Sequence, residues 1–369
     1  MKIGKNDILI ILPLSILLIL GLVMVTSSSI YIADDMTSNP FHFAQRQTLF
    51  VSMGLIAMLI FLVLPSDFLY RTDWVFMLLS IFLLIILFIP DIGTSVNGSI
   101  RWIRIGPINV QPSEICKFSL ILYISGYSVR RMSEINSLRS FLKPLILLFI
   151  ISILIMAQPD LGSTAIVCVL VVGILFYAGI SFSQLTLLIL LISLLGYLAI
   201  TTSPMRLARV LAFTDPFAVD VVQKAGWQLS NSLISIGQGG WLGVGLGNSF
   251  QKSFFLPEAH TDFIFAILVE ELGIIGGIFL IILFVIMLIG LMSVAFESFK
   301  KGRLFQGYTV FGIFLLISIQ TLLNIGVNIG LLPTKGLTLP FISYGGTSII
   351  IMLSLIGIVL RINNENKIL

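Results

Sequence analysis

An all-α integral membrane protein, a polytopic bundle of about ten transmembrane helices, is the fold class this sequence predicts. Three observations predict it. Of 369 residues 57% are hydrophobic and 10% are charged, against roughly 25% charged in a soluble domain. A soluble core cannot absorb that excess of apolar side chains, but a bilayer can. Second, apolar runs of membrane-crossing length recur along the whole chain, without the alternation of barrel strands. Third, basic residues collect in alternate loops. The net charge of +4 and pI near 9.1 would suggest nucleic acid in a soluble chain. Here the distribution of charge matters more than its sum, and no nucleic-acid partner is expected.

The apolar segments are 8–30, 47–64, 74–90, 112–129, 145–159, 161–179, 183–202, 262–293, 306–331 and 343–361. Lys2 and Lys5 before the first could head a signal peptide; with so many spans following, they read as the cytoplasmic anchor of a first transmembrane helix. An even number of spans puts both termini on one side. The termini and even-numbered loops hold twelve of the 21 Lys and Arg, most densely in "RRMSEINSLRSFLK" (130–143) and "KKGR" (300–303). The positive-inside rule makes that side cytoplasmic. The chain reads as a single membrane domain, 1–369, whose longest connection, 203–261, lies outside the cell between helices 7 and 8. It is too long for an idle linker and too apolar for a free domain, so it is expected to form an outer cap. Cys116 and Cys168 sit in apolar surroundings and suggest neither a disulfide framework nor a thiolate metal site.

Eight basic residues remain outside: Arg46, Arg101, Arg104, Arg206, Arg209, Lys224, Lys252 and Lys335. The rule disfavours them there. An anionic ligand would explain them, and so would lipid headgroups or internal pairing with acids.

Ionisable groups at membrane depth are functional candidates. In "QPSEICK" (111–117) Glu114 and Lys117 are three apart and can face each other, as a structural ion pair or as substrate contacts. Trp102, between Arg101 and Arg104, is either an interfacial anchor or a sugar-stacking residue. Asp160 in "QPDLGS" (158–163) could cap a helix or contact a ligand. Gln320, Asn324 and Asn328 share one helical face, as glue between helices or the lining of a polar groove. Lys335 lies in "LLPTKGLTLPFISYGGTS" (331–348), whose prolines and glycines suggest a shaped, non-helical entrance. In "LPEAHTDFIFAILVEELG" (256–273) Asp262 is expected in the first turns of a helix, with Glu258 on the same face four residues earlier. Desolvation would raise its pKa while the helix terminus and basic neighbours lower it, fitting a general base. The alternative is an ordinary helix-start acid. Glu258 and Asp262 could also share Mg²⁺ or Mn²⁺, since hard carboxylate oxygens are the available ligands. His260 reads as a cap or loop contact. The uninterrupted apolar run begins at Ile274, so Glu270 and Glu271 are expected near the membrane edge in a structural role.

These clusters fall on one side of the membrane. A transporter would place its polar groups near the midplane, so the bias is toward binding or chemistry at one interface.

"QPSEICK", "QPDLGS", "LPEAHTDFIFAILVEELG" and "NIGVNIGLLPTKGLTLPFISYGGTS" resemble the SEDS family of bacterial shape, elongation, division and sporulation proteins, across essentially the whole chain. "SVNGSIRWIRIG" (95–106), "GLGNSFQK" (245–252) and "LPTKGLTLP" (332–340) look more like the division member than the elongation member. The resemblance implies a peptidoglycan glycosyltransferase of the bacterial inner membrane that polymerises lipid II at the septum, releasing undecaprenyl pyrophosphate. The family's essential acid matches Asp262. Arg101, Lys117, Arg206, Lys335 and a divalent cation are then candidates to stabilise the pyrophosphate. Trp102, Glu114, Asp160, Glu258, His260, Thr261, Asn328 and Ser343 are further candidates for substrate binding. The implied partners are lipid II, the nascent lipid-linked glycan, a class B penicillin-binding protein and other division-complex membrane proteins. "SPMRLARV" (203–210) departs from the family in carrying Met205 where an aromatic usually precedes Arg206. A lipid II flippase and a non-enzymatic scaffold are the competing readings.

Overall fold

The structure, a computed structural model, describes residues 4–96, 99–106, 108–219 and 221–368. Lys2, with Asn97 and Gly98 of "SVNGSIRWIRIG", lies outside the described residues. The chain opens with three long helices, α1 (Lys5–Thr37), α2 (His42–Val63) and α3 (Ser66–Ile86). A small antiparallel sheet follows, β1 (Gly93–Val96), β2 (Ser99–Ile105) and β3 (Ile108–Val110), in that spatial order. Then come α4 (Pro112–Arg130), α5 (Leu138–Met156), α6 (Leu161–Tyr177) and α7 (Phe182–Thr201). Two short helices, α8 (Pro204–Thr214) and α9 (Trp227–Gly239), occupy the long connection. The bundle closes with α10 (Ile264–Lys300), α11 (Leu304–Asn328) and α12 (Gly346–Ile368).

Each of the ten apolar segments coincides with one of the longer helices. Eight are long and apolar enough to cross a membrane. The other two are α6, which has 17 residues, and α4, which carries Glu114, Lys117 and several serines. Pro112 opens α4 where a missing N–H costs nothing. The sheet departs from the all-α expectation. Its short strands are joined only by pairing, Thr94 opposite Trp102 and Arg104 opposite Asn109, which no local periodicity announces.

In lipid the tails are as apolar as the side chains, so helices associate by close packing. The bundle shows this where α12 crosses α2: a Cβ added at Gly357 would lie 2.4 Å from the Met58 carbonyl oxygen. One core runs through α1, α2, α10, α11 and α12, and a second joins α3 to α7. At one end of the bundle, charges are paired. Arg303 and Arg361 both reach Glu365, Lys367 reaches Asp7, and Arg130 binds Asp73 at 2.8 Å.

Helix α10 is two helices in one. Gly273 (φ 74°, ψ 179°) breaks it. The carbonyls of Glu270 and Glu271 accept instead from the amides of Val244 and Gly245, while Ile274 and Ile275 donate to the carbonyls of Gly240 and Trp241. The segment after α9 is thus threaded into the break and satisfies its backbone. A Cβ at Gly273 would meet the Trp241 oxygen at 2.2 Å, and the positive φ independently favours glycine. The sequence places the start of the unbroken apolar run at Ile274 and predicts no break in the helix; the structure adds one, with 264–272 as a separate half-helix.

Candidate active site

At the end opposite the ion pairs, a cavity of about 510 Å³ opens between β2, the α5–α6 turn, α8, the turn before α10 and the 333–348 segment. Of the eight basic residues expected outside, five line it: Arg46, Arg101, Arg206, Arg209 and Lys335. None of the five forms an ion pair among the described residues. Three carboxylates share the cavity, Asp160, Glu258 and Asp262, together with Trp102 and Thr261.

Asp262 stands in the turn before α10, not in the helix, and Glu258 occupies a left-handed turn position (φ 58°) rather than the same helical face. The physical reason is tertiary: the three carbonyls of His260, Thr261 and Asp262 are each claimed from outside. The Tyr344 amide donates to His260 O (2.9 Å) and Ser343 Oγ to Thr261 O (2.6 Å). Asn324 and Asn328 donate their side-chain amides to Asp262 O at 2.9 and 3.0 Å. Asn328 Oδ1 also accepts from the Ala266 amide, capping the half-helix from another element. The polar face of α11 therefore grips the main chain and leaves the Asp262 carboxylate free to point into the cavity. Gly336 leaves it room, since a Cβ there would lie 3.0 Å from Oδ2.

Burial raises the Asp262 carboxyl to about 7, and the charge of Glu258 adds to the lift, as does Asp160; Arg101 and Arg209 oppose it. Burial likewise depresses Lys335, with Asp160 resisting. Asp160 is the N-cap of α6, its oxygens accepting from the Ser163 amide (3.0 Å) and hydroxyl (2.7 Å). Arg101 reaches from β2 to the carbonyls of Gln158 (3.3 Å) and Pro159 (2.6 Å), fixing sheet to turn. Arg206 donates to Ala199 O at 2.9 Å, closing the end of α7. Glu258 accepts from Thr261 Oγ1 at 2.7 Å.

Several candidates lie elsewhere. Glu114 and Lys117 form a buried ion pair at 2.6 Å and do not line the cavity. His260 is buried between Phe43 and Tyr344, its ring 4.6 Å from that of Phe43, and burial lowers its pKa. Asn328 and Ser343 sit beneath the H-T-D backbone rather than on the cavity wall. Lys252 needs no external anion: it is buried against Glu271 at 2.7 Å and Ser27 at 2.9 Å. Glu270 accepts from Ser235 and Ser249, both at 2.6 Å, and from the Phe250 amide. Both glutamates are tied into the packing. Gln111, Tyr344 and Thr347 line the cavity without having been singled out. Their side chains carry no anomalous charge, so only the fold marks them.

A family model described as cell cycle protein, covering FtsW, RodA and SpoVE, matches residues 7–368. The chain belongs to the FtsW/RodA/SpoVE family. The probable peptidoglycan glycosyltransferase FtsW of Legionella pneumophila is 43% identical over 353 residues, which cover 95% of this chain and 89% of the relative. The FtsW of Taylorella equigenitalis is 42% identical over 354 residues, covering 95% and 96%. Among solved structures, a chain of a peptidoglycan synthase complex that coordinates polymerization and crosslinking superposes with a TM-score of 0.78 at 25% identity, covering 96% of this chain and 97% of that one. The rod shape determining protein RodA of Thermus thermophilus shares the fold, with a TM-score of 0.70, 23% identity and 96% of each chain covered. As in the FtsW relatives, family membership here extends over the whole bundle, cavity included.

Proposed function

We propose that the cavity is the polymerisation site of a peptidoglycan glycosyltransferase of the FtsW type, acting on lipid II in septal cell-wall synthesis. The observation that carries this reading is one cavity lined by five cations that form no ion pair among the described residues and by Asp262, a carboxylate whose pKa burial and Glu258 raise to about 7. Asp262 takes the proton from the 4-hydroxyl of the acceptor N-acetylglucosamine. That oxygen attacks the anomeric carbon of the donor N-acetylmuramic acid, and the bond to the pyrophosphate breaks with its electron pair leaving on undecaprenyl pyrophosphate. Arg101, Arg206, Arg209 and Lys335, which line the same cavity, would stabilise the departing charge. The leaving group is already good, so one base suffices. Lys117, buried against Glu114, takes no part in this scheme. Glu258 and Asp262 could hold Mg²⁺ or Mn²⁺ completed by substrate phosphate oxygens, the usual way in which so hard a cation is bound.

The protein is a multi-pass inner-membrane protein. In the fuller reading it crosses ten times, α4 and α6 being sheltered by their neighbours, with both termini cytoplasmic and residues 203–261 capping the outer face. Its place is the septum, with a class B penicillin-binding protein as transpeptidase partner. The test uses purified protein with that partner, given lipid II and moenomycin to silence contaminating polymerases. Glycan strands are expected from wild type and not from Asp262→Ala. Polymerisation by the variant would remove Asp262 from the role of base. Absence of polymerisation by every preparation, with lipid II still moved across vesicles, would favour a flippase.

A further inference from the structure

We propose that residues 240–255 form a membrane-inserted re-entrant element, seated in the acyl-chain region of the leaflet on the cavity side. Three independent observations carry this. The first is charge. Between Ala225 and Pro257 the only Asp, Glu, Lys or Arg is Lys252, and it is buried in its ion pair with Glu271. A connection of that length in water is ordinarily polar, whereas this one presents no exposed charge.

The second is the backbone. Non-helical chain survives in hydrocarbon only if its N–H and C=O groups find partners within the protein. Here the break in α10 supplies them to the carbonyls of Gly240 and Trp241 and to the amides of Val244 and Gly245, while the Gly243 amide donates to the Gly239 carbonyl. Farther along, the Val244 carbonyl accepts from the Asn248 side chain and the Gly247 carbonyl from Lys252 Nζ at 2.7 Å. The segment therefore enters lipid without unpaired polar groups at these positions.

The third is level and continuity. The Ile275 amide donates to Trp241 O, fixing Trp241 at the height of the first turn of the spanning half-helix. Residues 274–300 measure about 40 Å at 1.5 Å per residue, more than the roughly 30 Å hydrocarbon core. Ile275 and Ile278 are exposed on the lipid-facing side of that helix at 53% and 48%. Trp241 (69%), Leu242 (80%) and Leu246 (55%) extend the same apolar surface sideways. A tryptophan at the edge of such a surface suits the bilayer interface. The element grips the membrane where α10 is broken, so it anchors the half-helix that carries Asp262 at its entrance.

The experiment places a nitroxide on Leu242→Cys in the full chain, reconstituted in phospholipid nanodiscs without partners. Cys116 and Cys168 are buried and remain unlabelled. Ile278→Cys serves as the lipid-facing reference and Val219→Cys, 93% exposed, as the aqueous one. Collision rates with dissolved oxygen and with a water-soluble nickel chelate are read at each site. An oxygen-to-nickel ratio at residue 242 matching Ile278 and exceeding Val219 is the expected result. A ratio matching Val219 would overturn the proposal. Protection from both reagents would also overturn it, showing the face covered by protein, such as a second copy. A circular-dichroism spectrum and thermal melt matching wild type establish that the labelled chain is folded.

Discussion

The two ends of this bundle carry similar numbers of charges and use them in opposite ways. At the end of α12, Glu365 satisfies Arg303 and Arg361, and Asp7 satisfies Lys367. At the cavity end, five cations that form no ion pair among the described residues line one open cavity with Asp160, Glu258 and Asp262. The first arrangement fastens helices; the second is organised around something that arrives. Net charge distinguishes neither, because only pairing does.

The sharpest way to break the comparison is to exchange the consequences. Asp262→Asn should lower the polymerisation rate by about 10²–10⁴-fold without loosening the fold. The sign of its stability effect follows from the raised pKa. The folded protein holds the Asp262 proton up to about pH 7, whereas the unfolded chain releases it near the ordinary carboxylate value, so wild type loses stability as pH rises between those points. The asparagine variant escapes that loss, and thermal melts should show it equal to wild type in acid and more stable above pH 7. Arg303→Met should do the reverse. It should leave the rate per folded molecule unchanged and cost about 1–3 kcal/mol of stability, read from denaturation in detergent. A rate loss there as large as that of Asp262→Asn would erase the distinction between the ends.

Smaller effects sharpen the picture of the cavity. Gly336→Ala places a methyl group against the Asp262 carboxylate and should cut kcat about 10-fold, a loss of the order expected when a positioned base is displaced, with KM nearly constant. The rate–pH profile should rise to a plateau above about pH 7, following deprotonation of Asp262. Because the Glu258 charge helps to raise that pKa, Glu258→Gln should move the inflection toward acid. An unmoved inflection would mean that another group governs it.

Much of this was legible in the sequence. The helices follow the apolar runs, and the unbroken apolar run does begin at Ile274; the break at Gly273 was not legible, because it rests on hydrogen bonds to residues 240, 241, 244 and 245 that are remote along the chain. Asp262 was legible as a candidate because a carboxylate at the head of an apolar helix is costly. Three other things were not. The sheet over 93–110 rests on pairing between short strands. The fate of Lys252 depended on Glu271 and Ser27, far apart along the chain and adjacent only in the fold. The role of Asn324 and Asn328 could be read as glue or lining; that they hold a main-chain carbonyl of another element is a tertiary fact with no local signature.

The joint at Gly273 has a mechanical consequence. Membranes differ in thickness, and a spanning helix responds by changing its tilt. A continuous rod from 264 to 300 would swing its far tip through the cavity whenever residues 274–300 leaned. With the rod cut at Gly273 and the cut ends hydrogen-bonded to residues 240, 241, 244 and 245, the spanning half has a joint at which it can lean without forcing the turn that holds Asp262 to follow.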